Sequence, residues 1–253
     1  MAEAKVKLQI KNLSKTFQTK GEQVTAVKDV SFDVYDNEFL VLLGPGQCGK
    51  TVLLNMIAGL EAVEDGEILL DGIQVRGHDP RIGMVLQKIA LMPWKTVMQN
   101  AEMGPKFRGV PKKERRETAQ RFIDLVGLTG FEKSYPSQLS GGMKQRVGIA
   151  RAYSNNPELL IMDEPFGALD AQTRYAMEEE ITRIWQKQKR TVIFVTNNIE
   201  EACYLGDRII LFSARPAEIK EIYVNNMPRP RDMISDEFMK LRTTISDNTD
   251  LAI

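Results

Sequence analysis

The sequence is poor in cysteine and histidine: Cys48, Cys203 and His78 are all it has. So small a set excludes a disulfide-held fold and any zinc site built from these residue types, and it points to the cytosol. An excess of one charge is also missing. Lys plus Arg is 34 and Asp plus Glu is 34, so the formal net charge is zero. Nothing in that balance drives non-specific binding to nucleic acid, which needs a basic surface to displace counterions. No run of about 18 apolar residues occurs, so no segment is expected to span a bilayer. The opening MAEAKVKLQI lacks an apolar signal core followed by a cleavage site. If the protein works at a membrane, a partner is expected to hold it there.

What is present is ordinary for a globular chain: 253 residues, 43% apolar and 27% charged. That length can bury a full core and suits one large domain or one domain with an inserted subdomain. Residues 6–17 and 24–34 alternate apolar and polar positions, as half-buried strands do, and Gly21 separates them. Phe39-Leu40-Val41-Leu42-Leu43 is continuously apolar, which suits a strand buried on both faces. A helix is expected from Lys50 to about Leu60, and strands over 66–71 and 82–86. The stretch 97–153 reads as mainly helical, with Pro111 opening one helix. After it β/α alternation returns: strands over 159–162, 191–195 and 208–212, helices over 171–187 and 199–205. The tail carries Pro228-Arg229-Pro230-Arg231-Asp232 and a short helix near 237–243. The expected organisation is an α/β core from 1–88 and 156–218, an inserted helical subdomain at 89–155, and a short tail at 219–253.

Three places carry chemistry. Gly44-Pro45-Gly46-Gln47-Cys48-Gly49-Lys50-Thr51 fits GxxxxGK[ST], follows a buried strand and opens a helix, the context a phosphate-binding P-loop requires. Backbone N–H groups and the positive helix end cradle phosphates there. Lys50 is expected to reach the β- and γ-phosphates of ATP, and Thr51 to ligate Mg²⁺. The alternative is a plain glycine-rich turn. Next, an apolar strand ends in Asp163-Glu164. Asp163 would hold Mg²⁺ through water, and Glu164 is the natural general base for an attacking water. The alternative is a capping acid pair. Last, Ser140-Gly141-Gly142 opens a helix at which backbone can approach an anion closely. Taken alone, the simple capped helix is the better reading.

Together these residues resemble the ATPase subunits of ABC transporters, a match running from about Leu8 to Phe212 with the motifs in order. The resemblance implies an α/β P-loop NTPase core with a parallel sheet, an N-terminal antiparallel β part and an inserted α-helical subdomain. It also implies roles for further residues. Phe17 would stack on adenine, Gln87 would serve catalysis and Mg²⁺, and Leu139 to Arg146 would be the signature. Ala168-Leu169-Asp170 looks like the D-loop. ATP would lie between the P-loop of one subunit and the signature of another, in a dimer expected to be a homodimer. Permease subunits would be direct partners, a solute-binding protein an indirect one, and nucleic acid none. The place of work would be the cytoplasmic face of the inner membrane. Leu91 to Val97, Tyr135-Pro136-Ser137-Gln138 and the tail PRPRD resemble bacterial importers for nitrate, sulfonates, taurine and related small ions. For Pro93-Trp94 the alternative is a helix-start proline beside a packed tryptophan.

The chain also departs from that pattern. Gly46-Gln47 stand where the family mostly has Ser-Gly. If Gln47 needs a positive φ, a side chain there costs about 1 kcal/mol. Thr196-Asn197-Asn198 replaces Thr-His-Asp, and Asn197 can donate a neutral hydrogen bond but carries no charge. His78, placed before the Gln87 strand, is expected to be an exposed loop residue. Two rival functions follow: an ATP-binding subunit with negligible turnover, or a soluble ATPase of the same type acting on nucleic acid or ribosomes.

Overall fold

The alternation at the start of the chain builds a long hairpin in the computed structural model, which describes residues 5–19, 21–87, 90–167 and 169–250. In chain order the first half contains β1 (Val6–Thr19), β2 (Glu22–Tyr35), β3 (Phe39–Leu43), α1 (Lys50–Ile57), β4 (Asp65–Leu70), β5 (Ile73–Gln74), β6 (Ile82–Val85), α2 (Val97–Ala101), α3 (Met103–Phe107) and α4 (Lys112–Leu125). A 3-10 turn at Pro136–Gln138 follows, then α5 (Gly141–Ser154), β7 (Leu159–Asp163), α6 (Ala171–Lys187), β8 (Thr191–Thr196), α7 (Ile199–Leu205), β9 (Arg208–Phe212), β10 (Ile219–Val224) and α8 (Asp236–Asn248). Two units result: the chain up to Asp79 together with the chain from Arg190 onward, and Pro80–Lys189.

In the first unit β1 lies between β2 and β4, with β5 at the edge, all antiparallel. Leu8 sits opposite Val34 and Leu70, and Ile10 opposite Phe32 and Ile68. All six are buried, so alternate positions make one apolar face. β3 runs parallel to β8 on one side and β9 on the other, and β10 closes the edge antiparallel to β9. Every residue of β3 and β8 is buried, which explains the apolar runs Phe39–Leu43 and Val192–Val195. The two-residue β5 lies outside the expected strands, and the edge strand β10 falls in the stretch expected as a short tail. Tyr223 is its single fully buried residue, so no period-two pattern marks it. The tail helix α8 runs to Asn248, past its expected end, and buries Phe238 and Ile245; Ser235 caps its start by accepting from the Phe238 N–H at 3.3 Å.

The second unit pairs β6 with β7 in parallel, and α5 packs on β6 and carries α2, α3 and α4; α6 follows β7 in the chain. Ala119, Phe122 and Ile123 form the buried stripe of α4. The ring of Phe122 meets that of Tyr153 on α5 at 5.6 Å. Asn100, fully buried, ties down the loop before α2: it accepts from the Met92 N–H at 2.9 Å and donates to the Lys95 and Thr96 carbonyls at 3.0 Å each. Trp94 in that loop is 69% exposed, so the alternative of a packed tryptophan is set aside.

Candidate functional site

In the first unit β3 hands the chain to the glycine-rich loop, and α1 begins at Lys50. Lys50 is 4% exposed, and its ammonium donates to the Gly44 carbonyl at 2.7 Å and the Pro45 carbonyl at 2.6 Å, with the Cys48 sulfur 3.7 Å away. α1 differs from α5, α6, α7 and α8 at its start. Those four are capped by a side-chain oxygen, whereas α1 starts after Gly49 with no side-chain cap and no acid in its first turn. A helix end of this kind carries positive potential and N–H groups suited to an anion. Gly49 is held at φ +123°, and a Cβ there would lie 2.2 Å from the Ala26 carbonyl oxygen. Gly46, by contrast, faces open space. Gln47 does take a positive φ, +61°, so this side chain is carried at a conformational cost of about 1 kcal/mol. Cys48 is buried and Thr51 exposed.

The neighbouring strand brings in Asn197. Thr196 pairs with Leu43 in parallel register, and its carbonyl accepts from the Gly44 N–H at 3.4 Å. Asn197 is therefore the first residue to leave β8 level with the start of the loop, and it is exposed. Asn198 caps α7, accepting from the Glu201 N–H at 3.1 Å. Phe17 is half-buried on β1, with the Lys15 ammonium 5.3 Å from its ring centre. His78 is exposed, as the sequence led one to expect.

The second unit holds the acids. Asp163 ends β7 and is 4% exposed. Val85 pairs with Met162, so Gln87 and Glu164, each two residues further on, emerge level with one another. Gln87 Nε2 donates to Glu164 Oε2 at 3.0 Å. This bond links residues far apart in sequence, and the strand register explains it. Glu164 is half-buried and sits at φ +41°, a left-handed backbone that non-glycine residues seldom adopt. Such strain persists where surrounding structure fixes it, often at working sites.

Ser140 caps α5 by accepting from the Met143 N–H at 3.3 Å. Ser140 and Gly141 are exposed. A Cβ on Gly142 would come within 3.0 Å of Thr173 Cγ2, and one on Gly141 within 3.9 Å of Leu169 Cδ2. Gly142 thus lets α5 pack closely beside the start of α6, whereas a Cβ at Gly141 would make only ordinary contact. There Asp170 caps the helix by accepting from the Thr173 N–H at 3.0 Å. Leu169 and Asp170 are the visible part of the expected D-loop; Ala168 lies outside the described residues.

The uncapped α1, the buried lysine and the tight turn at Gly49 fit a polyphosphate. Among the described residues no group of three or more His, Cys, Asp or Glu converges as a metal cage. That is compatible with Mg²⁺, which keeps waters and phosphate oxygens and needs few protein ligands.

Comparisons with known proteins agree with this geometry. The family described as ABC transporter matches residues 27–167. An uncharacterized ABC transporter ATP-binding protein of Methanocaldococcus jannaschii is 52% identical over 241 residues, 95% of this chain and 90% of that protein. An aliphatic sulfonates import ATP-binding protein of Bacillus cereus is 40% identical over 238 residues, 93% of each. Among solved structures, a dimeric post-hydrolysis state of an ATP-binding cassette, bound to ADP and Pi, superposes with a TM-score of 0.75 at 31% identity, covering 89% of this chain and 99% of that one. The fold is that of such cassettes.

Proposed function

The chain belongs to the ABC transporter family of ATP-binding proteins, and from that premise we propose that it hydrolyses ATP to power an importer for a small organic or inorganic ion, sulfonate-like in class. The observation that carries the reading is Lys50 at the uncapped start of α1, held by a loop that only glycine at position 49 can complete. Lys50 binds and orients the β- and γ-phosphates, and the backbone N–H groups from Gly46 to Thr51 supply donors around them. Phe17 offers a face for the adenine. Glu164 takes a proton from the attacking water. Gln87 holds the carboxylate of Glu164 from one side and so fixes the direction of its other oxygen. Thr51, Gln87 and Asp163 are the groups that would hold Mg²⁺, which when bound neutralises charge on the phosphates. Ser140, Gly141 and Gly142 address the γ-phosphate held by a second copy of the chain, in a homodimer.

No helix among the described residues is long and apolar enough to cross a membrane. A permease pair then anchors the dimer at the cytoplasmic face, and a solute-binding protein supplies the cargo. The kinship with a sulfonate import protein supports the cargo class. The test is reconstitution with a candidate permease pair and solute-binding protein. ATP-dependent uptake of an alkanesulfonate, lost on omitting this subunit, supports the reading. ATP turnover stimulated by nucleic acid or ribosomes, without uptake, contradicts it.

Asn197 bears on rate. A charged donor to a phosphate contributes roughly 1.5–3 kcal/mol against about 1 for a neutral amide. The difference, expressed only in the transition state, is about two- to thirtyfold in rate. Asn197→His, alone or with Asn198→Asp, is therefore expected to raise kcat by that factor. The gain should be larger near pH 6 than near pH 8, because the imidazole must be protonated to carry charge. Steady-state phosphate release at both pH values checks this. An unchanged or lower kcat would show a site rebuilt around asparagine.

A further inference from the structure

The tail motif Pro228-Arg229-Pro230-Arg231-Asp232 has no part in the chemistry above, yet it contains a cation shut off from solvent. The side chain of Arg231 is 0% exposed. Its guanidinium donates to the Cys203 carbonyl at 3.1 Å and the Tyr204 carbonyl at 2.8 Å, with a longer contact to the Asn225 carbonyl at 3.4 Å. Burial pushes its pKa down to about 10. Arg229 donates to the Leu205 carbonyl and pairs with Asp207. Asn225 Nδ2 adds a second donor to the Cys203 carbonyl at 2.8 Å.

These carbonyls are the last of α7, the groups a helix leaves without internal partners. α7 has seven residues, Ile199–Leu205, too few to be stable in isolation. Its start is capped by Asn198, directly after Asn197. Its end is closed by the tail, and two guanidinium groups there also complement the negative helix end. α8 adds a further tie, Arg242 to Glu200 at 3.0 Å, and buries Phe238 and Ile245. Asp207, the partner of Arg229, accepts through its other oxygen from the Phe39 N–H at 2.9 Å, at the start of the strand that leads into the P-loop.

We infer that Arg229 and Arg231, with Asn225, are positioning residues for the reaction: they grip α7 by its carbonyl end and thereby hold Asn197 level with the P-loop. The inference rests on the proposed ATPase reading, but only through Asn197. The tail is thus a clamp for Asn197.

The test is a double-mutant cycle on the full-length protein in its assembled transporter. Arg231→Met keeps length and apolar packing and removes the donors. It is expected to lower kcat about fivefold, the rate equivalent of one neutral hydrogen bond, with the Kd for ATP unchanged. Asn197→Ala should lose about the same by that estimate. The pair together should lose no more than either alone, because Arg231 acts through Asn197. Multiplying losses, or a weakened Kd for ATP, would show a purely structural role and overturn the inference. Should Arg231→Met fail to fold, Arg231→Lys keeps the charge but cannot span the carbonyls, and it carries the same cycle. If the wild type itself shows no turnover, the functional reading fails while the clamp is still decided by amide hydrogen exchange. Unchanged protection across Ile199–Leu205 in the Arg231 variant refutes the grip on α7 and with it the clamp.

Discussion

Glu164→Gln is expected to slow ATP hydrolysis at least about a hundredfold, since general-base help amounts to roughly 10²–10⁴ in rate. The substitution keeps shape and leaves an amide oxygen to accept from Gln87, so the 3.0 Å contact survives. What disappears is the capacity to take a proton from water at neutral pH. The backbone at φ +41° is unaffected, because glutamine meets the same left-handed constraint as glutamate. Binding is therefore retained while turnover stops, and the variant should accumulate as an ATP-bound dimer. Phosphate release and sedimentation with ATP measure both halves. Turnover equal to wild type would remove Glu164 from the mechanism.

Gly49→Ala is expected to abolish nucleotide binding, with the affinity for ATP down at least a hundredfold, or about 3 kcal/mol. The new methyl would sit 2.2 Å from the Ala26 carbonyl oxygen and 3.1 Å from Ala217 Cβ, at a φ of +123° that alanine does not adopt. The loop must shift, and with it the N–H groups and the Lys50 anchor. Lys50→Ala should give the same loss by removing the charge itself. Gly46→Ala is the matched control. Nothing lies within 4 Å of a Cβ at that position, so ATP should bind as in wild type. Calorimetric titration with ATP distinguishes them. Equal affinity in Gly49→Ala and Gly46→Ala would mean that the loop geometry does not govern binding.

Much of this was legible in the sequence, for physical reasons that differ from one element to the next. β3, β7 and β8 announce themselves because strands covered on both faces must be apolar throughout. The P-loop is legible because few residue types satisfy its turn. The same logic marks Gln47 as a strained departure, and its φ of +61° bears that out. β10 was not legible, because an edge strand with one buried residue has no period to read. Nor was the contact of Gln87 with Glu164, which depends on how β6 registers against β7. The burial of Arg231 is the clearest miss. Pro-Arg-Pro-Arg-Asp carries a resemblance in the sequence but no sign of burial, and only the fold brings Arg231 to the helix carbonyls of Cys203 and Tyr204.

The central claim is that one subunit's P-loop is completed by the helix start at Ser140 of another. Ser140 and Gly141 are exposed and ready to face such a partner. Ser140→Arg, made in the Glu164→Gln background so that ATP is not consumed, tests it most directly. The bulk and charge of arginine would obstruct the close approach at α5 without touching the P-loop of the same chain. Sedimentation with and without ATP, beside an ATP titration of the monomer, is the measurement. The account predicts a monomer at all ATP concentrations, with monomer affinity for ATP unchanged. A dimer that forms with ATP as readily as in Glu164→Gln alone would contradict it.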